Sequence, residues 1–354
     1  MASLENQIKQ QAHSLGFELV GIAKAGPADG FERLRDWLEQ GFAGDMGYMH
    51  RHEEARRHPS SILPAVRSVV MVGMNYKPAQ AADAAHSGAH GRVARYALGE
   101  DYHRVLRQRL NQLLECLQRE VPDCRGRGVV DTAPLLERDF GRRAGLGWFG
   151  KNTMLLNKRL GSYFFLGALL LNLDLQPDQA HEASHCGTCT ACLDACPTQA
   201  FPEPGVLDSR RCISYLTIEL KGSVPAELRD GMGDWVFGCD ICQEVCPWNR
   251  KVAAASEPAF QPRHDLEVID LVELLGLSEE EFRKRFRGTA LTRAKRGGLL
   301  RNAAIALGNQ GDPAALPALR KASLDPDPMV REAALWAIER VEQRNQQRMR
   351  FQQA

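Results

Sequence analysis

Long apolar runs are missing from this 354-residue chain. The longest, Phe164 to Leu171, has eight residues, far short of the ~20 that a membrane-spanning helix needs. A surplus of one charge is missing too: 45 Lys and Arg stand against 44 Asp and Glu, a net +1, so the average charge indicates no polyanionic partner. The opening segment, MASLENQIKQQAHSLG, reads as an amphipathic helix. It lacks the basic start and apolar stretch of an export signal, so a cytoplasmic location is expected. With 44% hydrophobic and 25% charged residues the composition is that of an ordinary globular protein, which sets aside disordered and collagen-like classes.

Cysteine is plentiful and unevenly placed: eight of the ten lie between Cys186 and Cys246. A secreted disulfide scaffold would scatter them, whereas clustering in a chain without an export signal points to metal. The first run is Cys186-x2-Cys189-x2-Cys192-x3-Cys196-Pro197. This is the bacterial ferredoxin spacing, in which three cysteines hold one 4Fe–4S cluster and the fourth reaches the other. The second run is Cys239-x2-Cys242-x3-Cys246-Pro247, with Cys212 upstream. By the ferredoxin rule one cluster takes Cys186, Cys189, Cys192 and Cys246, and the other takes Cys196, Cys212, Cys239 and Cys242. Structural zinc also uses paired C-x2-C, but rarely with a third x2 cysteine followed by x3-Cys-Pro. No C-x3-C-x2-C occurs, which argues against radical S-adenosylmethionine chemistry. Cys116, on a helical face outside the block, is read as a core residue.

Four regions follow along the chain. Residues 1–175 read as α/β, with strands predicted at Ser68–Tyr76, Gly128–Asp131 and Tyr163–Leu173 and helices at Glu5–Leu15, Phe31–Gln40, Tyr102–Glu120 and Leu135–Ala144. Residues 176–250 form a ferredoxin-like two-cluster domain, and 251–275 a connection. Residues 276–354 read as all-α. RNAAIAL from Arg301 and REAALWA from Arg331 stand 30 residues apart with Asp-Pro pairs between them, which resembles HEAT repeats. Two such units stack poorly alone, so they are expected to pack on the rest of the protein.

Two adjacent clusters make a one-electron wire, and so much chain around it implies an attached reaction centre. Asp131 follows an apolar pair at a strand end and is placed for proton transfer, although an Asp there is commonly just a turn residue. Tyr96, Tyr102 and His103 could act on a ligand or simply start a helix. Arg56 and Arg57 by default occupy a solvated turn. Gly145-Leu-Gly147-Trp-Phe-Gly150 matches the dinucleotide fingerprint but follows a charged helical segment instead of a buried strand. Its glycines are expected to let the backbone pass something bulky. From Glu281 to Arg301 there are eight Lys or Arg and one acid, a local stripe that could hold nucleic acid.

Several longer blocks, taken with the eight-cysteine pattern, resemble one family, the epoxyqueuosine reductases. They are VGMNY at Val72–Tyr76, RYALGEDYHRVLRQRL at Arg95–Leu110, DTAPLLER at Asp131–Arg138, AGLGWFGKNTMLLN at Ala144–Asn157, SYLTIELKG at Ser214–Gly222 and RNAAIALGN at Arg301–Asn309. The resemblance implies the last step of queuosine synthesis, reduction of the epoxide of epoxyqueuosine at the wobble position of tRNA. It implies cobalamin and two 4Fe–4S clusters, a core related to reductive dehalogenases, and Asp131 as proton donor.

In that setting residues 1–175 become a cobalamin-binding catalytic domain. Arg57, Tyr96, Asp131, Asn152 and Leu155 are the expected contacts on its side, and Ser214, Cys239, Asp240 and Ile241 those on the cluster side. A desolvated site against an apolar corrin is expected to raise the Asp131 pKa. No D-x-H-x-x-G is present, so no protein histidine on cobalt is expected. The tRNA phosphates are expected on Lys221, Arg283, Lys284, Arg287, Arg293, Lys295, Arg296 and Arg301. A monomer served by an external low-potential electron donor is expected. Two other readings remain at this point: a small-molecule reductase of the dehalogenase type and a non-enzymatic electron carrier.

Overall fold

In the computed structural model residues 3–79 and 89–352 are described, with side chains to residue 350. The N-terminal region is built on a four-stranded sheet in the order Leu19–Lys24, Ser68–Asn75, Phe164–Leu171, Gly126–Val129. Every neighbouring pair is antiparallel. The strand Leu19–Lys24 was not among those predicted, because its apolar residues are interrupted by Gly21 and bounded by Lys24.

The central strand Ser68–Asn75 is buried along its whole length. Because side chains alternate between faces, Val70, Val72 and Met74 pack with Ile8 and Ala12 of helix Leu4–Ser14 and with Leu106, Leu110, Leu113 and Leu117 of helix Tyr102–Glu120. Val69 and Met71 pack on the opposite face with Phe140 of helix Glu137–Arg143. Burial on both faces explains why this strand and Phe164–Leu171 read as continuous apolar runs.

The helical region centres on Lys295–Gln310, which is buried from Gly298 to Gly308. It packs on Pro328–Gln352, which in turn covers Leu316–Ala322, and the core it forms also takes in Ile213, Leu216, Trp235, Val236 and Phe237 from the cysteine-rich region. A small three-stranded sheet ties the regions together. His90–Val93 pairs in parallel with Trp235–Phe237 on one side and antiparallel with Ile269–Asp270 on the other.

Arg301, expected on the tRNA face, is instead a core residue, 1% exposed. Its guanidinium donates to the carbonyls of Leu216 (2.5 Å), Leu220 (3.0 Å) and Gly222 (2.5 Å) and to Asn302 Oδ1. Asn302 donates in turn to the carbonyls of Thr217 and Val236, both 2.8 Å away. Burial lowers the Arg301 pKa to about 10, outweighing the opposing charge of Asp327. Cys116 is half-buried with Arg119 against its sulfur, and Cys124 is the buried cysteine of this region.

Candidate active site and cluster pockets

Asp101 caps the N-terminus of helix Tyr102–Glu120, accepting from the His103 backbone N–H at 3.0 Å. The same carboxylate meets His103 Nδ1 at 2.6 Å. The cap thereby fixes the ring, whose Nε2 lies 2.5 Å from Asp131 Oδ1, off the line of an ideal hydrogen bond. Tyr102 stacks on both Phe165 and His103 and donates its hydroxyl to Asp131 Oδ2. Arg293, from the start of the helical region, brings Nη1 to 3.8 Å from Asp131 and Nη2 to 3.4 Å from Glu219. Asp131 stays 40% exposed, so this group is open to solvent on one side.

The charges in this group run against the expectation for Asp131. Burial by itself pushes its carboxyl up, but the hydrogen bond and positive charge of His103, the Tyr102 hydroxyl and Arg293 together hold it below the usual range. Burial likewise pushes His103 down, yet its contacts with Asp101 and Asp131 outweigh that and lift it to about 9. At neutral pH the proton resides on His103 and Asp131 is a carboxylate. Beside them Glu137 is desolvated and raised to about 7, with Asp131 nearby.

Tyr96 lies between this group and the cysteine loop. Its ring is 6.1 Å from Tyr102 and 6.2 Å from Phe237, and a Cβ on Gly238 (φ +68°) would meet it at 3.3 Å. Ser214, Cys239 and Ile241 are half-buried on the far side. Other expected contacts are committed elsewhere. Asn152 donates to the Cys242 carbonyl, Leu155 is buried, and Asp240 is buried against the Arg95 backbone N–H and guanidinium. Arg57 faces outward, paired with Glu54 and Glu32 over the Phe31 ring. The buried neighbour is Arg56, which feels Glu137 and Tyr48.

The eight cysteines fall into two sets. Cys186, Cys189, Cys192 and Cys246 line one cavity of about 220 Å³ with Lys151, His185 and Trp248. Among the described residues no three His, Cys, Asp or Glu side chains gather around a single ion. These thiols line a void. In the other set burial pushes the Cys239 thiol up, with Cys212 and Cys196 close by. The half-buried Cys242 also senses Cys212, Cys239 and, from the first set, Cys192, so the two sets lie side by side. Cys189 is exposed.

Of the basic stripe, Lys221, Arg283, Lys284, Arg287 and Lys295 are exposed. Arg296 is held by Asp325, at 2.6 Å, and by the Leu277 carbonyl. The glycines at 145–150 pass the chain's own backbone. A Cβ on Gly147 would strike the Leu156 carbonyl oxygen at 1.9 Å, and one on Gly150 would strike Asn152 Oδ1 at 2.6 Å.

Two adjoining four-cysteine sets beside a solvent-accessible acid–imidazole pair define an iron–sulfur oxidoreductase. Comparison with known proteins specifies it further. Residues 185–249 match the family model of the 4Fe-4S double cluster binding domain, 56–132 that of epoxyqueuosine reductase QueG, and 288–348 that of HEAT repeats. The chain is 46% identical over 344 residues to the epoxyqueuosine reductase of Pseudomonas aeruginosa, covering 96% of this chain and 95% of the relative. A crystal structure of an epoxyqueuosine reductase with an epoxyqueuosine-modified tRNA-Tyr stem loop matches with a TM-score of 0.89 at 34% identity, covering 96% of this chain and 90% of that one. The Bacillus subtilis enzyme with its catalytic-aspartate loop swung out of the active site matches with the same TM-score, identity and coverage. The chain belongs to the epoxyqueuosine reductase family.

Proposed function

We propose that this protein reduces the epoxide of epoxyqueuosine in tRNA to the cyclopentene of queuosine. The observation that carries this reading is the Asp131–His103–Tyr102 group set one aromatic residue, Tyr96, away from the cysteine loop, with Arg293 of the helical region touching the same carboxylate.

The reaction takes up two electrons and two protons: both C–O bonds break, a C=C bond forms and the oxygen leaves as water. Cys186, Cys189, Cys192 and Cys246 would hold an outer 4Fe–4S cluster and Cys196, Cys212, Cys239 and Cys242 an inner one, each passing single electrons. A cobalamin would be held by Tyr96 and Asp131 on one side and Ser214, Cys239 and Ile241 on the other. When bound it supplies the reducing power directed at carbon. Both ring nitrogens of His103 face carboxylates, which favours a cofactor with no ligand from that histidine.

Asp131 hands a proton to the departing oxygen. Because the resting proton is on His103, Asp131 works as a relay: His103 recharges it, and the half-exposed Asp101 side connects His103 to solvent. Two passes along this route deliver both protons. Lys221, Arg283, Lys284, Arg287 and Lys295 remain to meet tRNA phosphates.

The test is anaerobic turnover of tRNA carrying epoxyqueuosine, with and without added cobalamin, read by nucleoside mass spectrometry. Cobalamin-dependent formation of queuosine is expected. No conversion by protein with full iron and cobalt occupancy would sink the assignment.

A further inference from the structure

The residues Trp148–Phe149 and Leu155–Leu156 form a small hairpin whose loop carries Lys151 and Asn152. These two consecutive side chains reach different cysteine turns. Lys151 Nζ donates to the carbonyls of Gly187 (2.8 Å) and Cys189 (2.9 Å), and Asn152 Nδ2 donates to the Cys242 carbonyl (3.3 Å). The loop that presents them is tightly made: Gly150 N–H donates to the Met154 carbonyl, and Thr153 takes a left-handed φ of +65°. Cβ atoms at Gly147 and Gly150 would collide with the hairpin itself. The two clamps differ in one respect, since Lys151 carries a charge and Asn152 does not.

Lys151 also lines the cavity of the outer four cysteines. The other lining residues there are the cysteines themselves, apolar groups, Asn152 and His185. A four-iron cluster with four thiolate ligands becomes more negative when it takes an electron, and nearby positive charge stabilises that state. We propose that Lys151 is a positioning residue that sets the reduction potential of the outer cluster, so that its ammonium determines how strong a donor is needed to fill the wire. Asn152, uncharged, holds the inner turn in place without biasing its potential in the same way.

This inference rests on reading the eight cysteines as two cluster sites. That reading is tested first and separately, by finding about eight irons per chain and two reduced-cluster signals in the reconstituted wild-type protein.

Lys151→Met, Lys151→Gln and Lys151→Arg are then titrated potentiometrically without cobalamin, with electron paramagnetic resonance reporting each cluster. At the potential where the wild-type outer cluster is half reduced, the two neutral variants should show a reduced-to-oxidised ratio about tenfold lower, which is 59 mV for one electron. The inner cluster should be unmoved, and Lys151→Arg should restore the outer value. An unchanged outer potential in a neutral variant with full iron would overturn the proposal. So would loss of four irons from both neutral variants, which would make Lys151 a structural clamp alone.

Discussion

The ends of this molecule proposed to handle protons and electrons are built from opposite materials. The proton end gathers titratable side chains from distant parts of the chain: Asp101 and His103 at a helix start, Asp131 after a strand, and Arg293 from the helical region. It is charged and open to solvent on one side. The electron end uses two nearly continuous cysteine runs, held by backbone carbonyl contacts from Lys151, Asn152, Arg301 and Asn302. Protons come from water, so that end gains from exposure and from paired charges that trade a proton. Electrons need fixed distances, which rigid hydrogen bonds to main chain supply. Substitutions at the first end should therefore alter rate and pH profile, and those at the second should alter stability and metal content.

The sharpest separation of the two ends is Asp131→Asn. Turnover should fall by about 10³-fold while iron content stays at the wild-type level, as measured by nucleoside mass spectrometry beside iron analysis. A simultaneous loss of iron would erase the distinction.

The reverse case is Arg301→Met, which strands three carbonyls of the segment Leu216–Gly222 that follows Cys212. It should cost about 3 kcal/mol of stability in denaturant unfolding and leave the salt dependence of tRNA binding unchanged. A reduced salt slope would return Arg301 to the tRNA face.

Solution pH should touch mainly the proton end. His103 is raised from 6.5 to about 9, so its stabilising contribution is complete below pH ~6.5 and is lost as pH rises through about 9. Asp131 is lowered, so its contribution is present above its ordinary value near 4 and is lost as pH falls below that. The difference in melting temperature between wild type and His103→Gln should therefore shrink above pH ~9, and wild-type turnover should decline over the same range. A constant difference would place the proton elsewhere.

The smallest effect is expected from neutralising Arg283, Lys284 and Arg287 together. Binding of tRNA should weaken, and the salt slope should fall by roughly one per lost phosphate contact, with turnover at saturating tRNA unchanged.

Legibility in the sequence follows the same division. The cysteine sets could be read because cluster ligation is written in local spacing, and the cavity gathers the four cysteines that the spacing grouped. The helix Tyr102–Glu120 was likewise exact at both ends, since a capping Asp and an apolar stripe are local signals. The proton end was only half legible. Asp131 and its neighbours stood out, but their mutual charge, and hence the direction of the Asp131 shift, depends on contacts 28 residues apart in sequence for His103 and 162 for Arg293. Runs of basic residues do not say which side of a helix is buried. For that reason the sequence pattern suggests a surface position for Arg301 and Arg296 and favours Arg57 over Arg56, whereas Arg301 and Arg56 are buried and Arg296 is held by Asp325. A signal for Arg301 was present in the apolar residues on both sides of it, Leu299–Leu300 and Ala303–Leu307, which leave no polar face for it to occupy.

The small sheet of His90–Val93, Trp235–Phe237 and Ile269–Asp270 draws one strand from before the cysteine block, one from within it and one from after it. Three regions that look separable along the sequence are thus not interchangeable modules. A recombination event that swapped the cysteine block for a foreign one would have to import a matching strand with it, as would one that replaced the segment joining that block to the helical region.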